Sequence, residues 1–304
     1  SELRGRASAA RVTEAMLAAL EGRPADLRGA GPERALDPAL DDLLAPETLS
    51  PATRALLAKT GEMLDAVTAI DLRALKATPL PPDAPIARLV ARVAAAAKMG
   101  QVAVLSSPKL AATCIPVGST PRVLVLGEVL ARDERLGPFL ALRALKLLQA
   151  RASALARTAP GELGVLISAW LKCFNPTWQA QGINPAALSA ATLRLQSTMP
   201  RNLSPDVGAL ALELTGSIGT RQATLGPAAL AWANRVALLG LGDPNAALDA
   251  IAVSAPAGSA GPLHAAPVDP KERAAWVSRT PEARDLIAFG VADAFSDVRG
   301  RLGV

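Results

Sequence analysis

The sequence predicts a mostly α-helical, α+β fold with one small three-stranded sheet. Three observations lead there. Half of the 304 residues are hydrophobic but only 3% are aromatic, so Ala, Leu and Val must fill the core. Ala and Leu are strong helix formers, and apolar residues recur at helical spacing through most of the chain. Short apolar runs bounded by turn formers cluster in one stretch only, between residues 102 and 126.

The elements follow in order. Residues 7–21 carry Val12, Met16, Leu17 and Leu20 at helical spacing, and 23–32 read as a loop. Ser50-Pro51 starts a helix, with Ser as N-cap and Pro in the first turn; Leu56, Leu57, Met63, Leu64 and Val67 form its apolar stripe. The Pro-rich run 78–82 reads as a linker, dividing an N-terminal helical region (1–78) from a second domain (79–304). A helix over 86–99 ends at Gly100. Strands are predicted at 102–106, 111–117 and 122–126, the second on an edge because Pro116 lacks an N–H. A long helix is expected over 136–157, and another opens at Pro160. More follow near 185–198, 205–215, 226–240 and 244–253. A loop over 255–268 holds His264. Asp269-Pro270 and Thr280-Pro281 start two terminal helices, the last carrying Leu286, Ile287, Val291, Phe295 and Val298.

Composition excludes several classes. The net charge of +5 comes from residues 86–223, which hold 15 basic and 6 acidic side chains. With no basic run and no aromatic stacking platform, this argues against nucleic-acid binding. Cys114 and Cys173 stand far apart in apolar settings and read as buried free thiols, not a disulfide or metal framework. No apolar run is long and uncharged enough to span a membrane. Ser1 opens into a polar, Arg-bearing stretch, so no leader is expected, and a longer natural N-terminus is. The expected location is cytoplasmic.

Two blocks carry a family resemblance. The first runs from Val123-Leu124-Val125-Leu126 through Gly127-Glu128-Val129-Leu130 to Phe139-Leu140-Ala141-Leu142-Arg143-Ala144-Leu145-Lys146. The second is Trp232-Ala233-Asn234-Arg235-Val236-Ala237-Leu238-Leu239, followed by Gly242-Asp243-Pro244. Residues 86–253 resemble the gluzincin metallopeptidases related to the CAAX-processing endopeptidases. The resemblance implies a zinc held by a His-Glu-x-x-His helix and a later acidic helix. Leu142 and Lys146 stand at the two histidine positions, Arg143 at the general-base glutamate, Trp232 at the third ligand and Asn234 at the following aspartate. A catalytic zinc needs three ligands from His, Cys, Asp and Glu, and His264 is the sole histidine. The resemblance therefore implies a pseudo-peptidase with no metal and no cofactor. It also implies a bacterial context, trailing tetratricopeptide repeats.

The expected function is a non-catalytic protein-interaction scaffold, using the vacated cleft or the edge of the sheet, where peptides add as a strand. Arg143, Lys146 and Arg151, with Arg157, form either a basic partner-binding face or a solvated helix face. Trp178 is the tryptophan expected to be exposed and joins the candidate partner-binding set. His264 reads as a solvated loop residue, and Asp37, Asp41 and Asp42 as a solvated acidic loop. The Gly-flanked Ser217 and Ser259 lack a base partner. The rival readings are an enzyme with repurposed carboxylates such as Glu128 or Glu213, or a basic-surface nucleic-acid binder. Oligomeric state and partner identity do not follow from the sequence.

Overall fold

A computed structural model describes residues 2–25, 27–254 and 266–304, with side chains from residue 8 onward. It is 62% helical, with 16 helices and one small mixed sheet among the described residues. The expected mostly-α, α+β class is the observed one. Helices α1 (Glu2–Leu20), α2 (Pro32–Ala35), α3 (Asp41–Leu44) and α4 (Pro51–Val67) come first. Strand β1 (Thr78–Pro79), helix α5 (Pro85–Ala96) and strands β2 (Val102–Ser107), β3 (Cys114–Val117) and β4 (Arg122–Gly127) follow. The rest is helical: α6 (Glu128–Arg132), α7 (Leu136–Gln149), α8 (Ser153–Arg157), α9 (Pro160–Phe174), α10 (Pro185–Gln196) and α11 (Val207–Ile218). Then come α12 (Leu225–Leu241), α13 (Pro244–Val253), α14 (Pro270–Arg279), α15 (Pro281–Gly290) and α16 (Asp293–Leu302).

Several starts use the capping chemistry the sequence announces. Ser50 Oγ accepts the Thr53 N–H at 3.2 Å, Asp243 Oδ1 that of Ala246 at 2.9 Å, and Asp269 Oδ1 those of Lys271 and Glu272 at 3.0 Å. Each places a Pro at the first turn, where its missing N–H costs nothing.

Helix ends depart from expectation, for one recurring reason. The helix expected over 136–157 is two helices that turn at Arg151 (φ 53°). There the Arg151 N–H reaches Leu148 O (3.2 Å) and the Ala152 N–H reaches Leu147 O (2.9 Å). The helix expected to reach Met99 stops at Ala96, closed in the same way with Lys98 at φ 53°. This paired closure usually places glycine in the left-handed position. Here that position is held by Lys or Arg, which carries no sequence signal. The helix expected from 280 onward also divides, between Gly290 and Asp293. That turn brings the Phe295 ring to 5.4 Å from Phe289.

The sheet has four strands in the order β1-β2-β4-β3, not three. The extra strand is the expected linker: Thr78 and Pro79 pair antiparallel with Ser106 and Leu105. Two residues including a proline are too short a run to read as a strand. β2 and β4 are parallel, and β3 is antiparallel to β4 on the outer edge, where Pro116 was expected to be. Central β4 is buried on both faces. Leu124 and Leu126 enter the main core, while Val123 and Val125 pack with Val117 beneath Ile70, Leu72 and Leu75. One main core runs from Val12 to Val298, through both regions flanking residue 78.

A buried ion pair ties these layers together. Arg157 of α8 donates to the Asp65 carboxylate of α4, to Pro116 O of β3 (3.1 Å), and to Thr68 Oγ1 (2.8 Å) and Thr68 O (3.1 Å). Asp65 is 1% exposed. Burial pushes its carboxyl above 3.8, and the Arg157 charge works against that rise. Arg157→Ala leaves Asp65 buried and unpaired and is expected to cost about 3–5 kcal/mol in urea unfolding. Arg157→Met with Asp65→Leu recovers most of that loss; equal losses for the two would contradict this account.

Candidate functional site

The resemblance blocks run through β4 and α6 into α7, and through α12 to the start of α13; α7 and α12 pack against each other at the centre of the molecule. Every residue of α7 from Phe139 to Leu148 is buried. The run Phe-Leu-Ala-Leu-Arg-Ala-Leu-Lys-Leu-Leu is apolar around nearly the whole helix, so its neighbours cover every side. Arg143 and Lys146 are carried inside with it. Small residues on α12 permit the close approach: any side chain at Gly240 would stand 2.7 Å from Leu142 Cδ2 and 3.2 Å from Ala35 Cβ.

Leu142 and Lys146, one turn apart, share a helix face. Leu142 is 1% exposed and packs on Gly240. Lys146 is also 1% exposed, and its Nζ donates to Asp41 Oδ1 at 2.6 Å and to Gln149 Oε1 at 2.9 Å. The same ammonium lies 4.2 Å from the centroid of the Trp232 ring. A desolvated cation over an aromatic face contributes about 2 kcal/mol. Arg54 sits 6.0 Å from that ring and binds Asp42 at 2.5 Å. Gln149 in turn donates to Leu36 O at 2.8 Å. The α2–α3 segment is thereby fastened over the Lys146 end of α7.

The electrostatics follow from burial. Desolvation lowers Lys146 below its ordinary 10.5, and the adjacent Asp41 carboxylate opposes that fall. Desolvation likewise raises Asp41 above 3.8, against the pull of Lys146. Arg143, 7% exposed, is lowered by burial; its Nη1 donates to Ser254 Oγ at 3.2 Å. The buried Cys114 thiol is pushed up to about 12, and the half-buried Cys173 thiol to about 11.

The remaining candidates are scattered. Asn234 is fully buried, and among the described residues neither its amide nitrogen nor its oxygen finds a partner; nor does Trp232 Nε1. Arg151 is half-buried, 3.6 Å from Glu62. Trp178 is half-buried against the core, not the exposed anchor expected. Arg143, Lys146 and Arg157 make neither a basic face nor a solvated one, because packing on all sides of α7 and at α8 withdraws them from water. The acidic stretch is solvated at Asp37, which caps a turn, and at Asp42, which stays exposed while pairing with Arg54; Asp41 departs from that reading by turning inward to Lys146. Glu128 and Glu213 are exposed on different elements, α6 and α11. His264 lies outside the described residues. Gln149, and the role of Asp41 as the partner of Lys146, escaped the sequence reading. A lysine inside an apolar helical run does signal that a carboxylate must meet it, but not which one.

Comparison with known proteins finds no family model, no curated protein and no solved structure that matches the chain. The zinc implied by the resemblance does not fit these residues. An ammonium stacked on Trp232 and paired with Asp41 would repel a dication, and Leu142 and Trp232 offer no lone pair to it. No group of three or more His, Cys, Asp or Glu side chains suited to a metal is present among the described residues.

Between its lowered value and 10.5, Lys146 is deprotonated in the folded chain but protonated in the unfolded one. Stability attributable to Lys146 therefore rises with pH across that window. The stability gap between wild type and Lys146→Met is expected to widen with pH there; a flat gap in denaturant titrations would contradict this. Both thiols are expected to resist an aromatic disulfide reagent in the folded chain near neutral pH and to react on unfolding.

Proposed function

We propose that this chain is a non-catalytic protein-binding module built on a helix pair whose metal-ligand positions have become core. The observation carrying this reading is the Lys146–Asp41–Trp232 contact, which fills the ligand positions with a satisfied cation. A cation committed in this way neither coordinates zinc nor activates water. Exposed Glu128 and Glu213, on separate elements, form no convergent pair and give little support to repurposed carboxylate chemistry.

The partner surface needs relocating. The cleft between α7 and α12 is filled. The outer strands are short, and each carries a proline, Pro79 in β1 and Pro116 in β3. Pro116 has no N–H to offer, and its carbonyl already accepts from Arg157. Such edges are blunted against strand addition. The helical surface is left, where two grooves of about 540 and 650 Å³ open. Nucleic-acid binding draws little support, since Arg143, Lys146 and Arg157 are spent inside. Among the described residues no helix is long and apolar enough to cross a membrane. A cytoplasmic setting belongs to the same proposal and fits two free thiols.

The test is zinc titration of the purified chain, with in-cell crosslinking and mass spectrometry to map its neighbours. No saturable zinc site, and crosslinks from its surface to a recurrent partner, are expected. One equivalent of tightly held zinc, lost in Lys146→Ala or Trp232→Ala, would overturn the proposal.

A further inference from the structure

Resting on that reading, the geometry points to the groove between α5 and the α6–α7 turn as the docking site for a basic partner segment with an aliphatic anchor. The groove has a volume of about 540 Å³, within the size range of sites that hold compact ligands and side-chain anchors. Its floor is apolar, from Leu80, Ile86 and Leu89. Val129, which follows the lining residue Glu128 in α6, is 60% exposed.

Charge identifies the occupant. Glu128, Asp133 and Glu134 line the rim, against Arg132 alone. Asp133 Oδ1 accepts from the Arg135 and Leu136 N–H groups at 2.8 and 2.7 Å, which fixes the turn at the start of α7. Glu128 and Glu134 are exposed. Among the described residues none of the three carboxylates lies within 4.0 Å of a Lys or Arg nitrogen, whereas Asp41, Asp65, Asp249 and Asp285 all do. The rim is thus a local patch of unmet negative charge around an apolar floor, in a chain of net charge +5. A basic, aliphatic segment answers both features: its cations meet the rim and its anchor enters the floor. The second groove offers no such contrast. Its Arg157 is paired with Asp65, its Arg194 is bound to the Val67 carbonyl, and Glu162 is the one carboxylate in its lining.

Two fluorescent peptides test this on the full chain by anisotropy, one alternating Leu and Lys, the other Leu and Glu. The Lys peptide is expected to bind and the Glu peptide not, against the sign of the net charge. Glu128→Gln with Glu134→Gln should weaken the Lys peptide about fivefold or more, with unchanged thermal unfolding. Glu162→Gln should leave it unaltered, and added salt should weaken wild-type binding. Equal binding of both peptides, no binding, or indifference to the double variant overturns the inference. The interaction-module reading survives that failure if crosslinks map to another face, and falls if the zinc titration finds a site or if no recurrent partner is crosslinked.

Discussion

The fold depends on one constraint: α7 is buried on every side, so the two cations in its sequence must be satisfied without water. An unpaired buried charge costs several kcal/mol. Lys146 is answered by Asp41, Gln149 and the face of Trp232, and Arg143 by Ser254. These partners come from well-separated parts of the chain, α3, α12 and the end of α13. Meeting the needs of one helix therefore fixes the placement of three others.

The same logic explains how the N-terminal residues join the rest. Asp65 and Asp41 lie before residue 78, and their partners Arg157 and Lys146 lie well after it. Gln149 adds a hold on Leu36 O, and Arg235 adds one on Leu44 O at 3.3 Å. Apolar packing continues across the same boundary, with residues 70–77 roofing the outer face of β4. Buried pairs of this kind weigh more for where elements sit than for net stability, because desolvation consumes much of their attraction.

For function, the filled α7–α12 interface and the proline-bearing sheet edges move attention to the helical surface. The α7–α12 interface is closed by buried side chains, and both outer strands carry a proline, Pro79 in exposed β1 and Pro116 in β3. Of the two grooves described on that surface, the one lined by Glu128, Asp133 and Glu134 joins an apolar floor to carboxylates with no ion-pair partner among the described residues, beside a single cation, Arg132.

Much of the architecture was legible in the order of residues. Helical periodicity, the caps at Ser50, Asp243 and Asp269, and the edge role of Pro116 all act locally, over a few residues of chain. Helix ends at Lys98 and Arg151 were not legible, because left-handed turns there use residues that any helix could contain. At the site, the absence of a second histidine and the identities of Leu142, Lys146 and Trp232 could be read directly, and with them the misfit to zinc. That Lys146 stacks on Trp232 and takes Asp41 as its partner was decided only by tertiary structure. Burial and pairing depend on which surfaces meet between elements far apart along the chain, and no local pattern encodes that meeting.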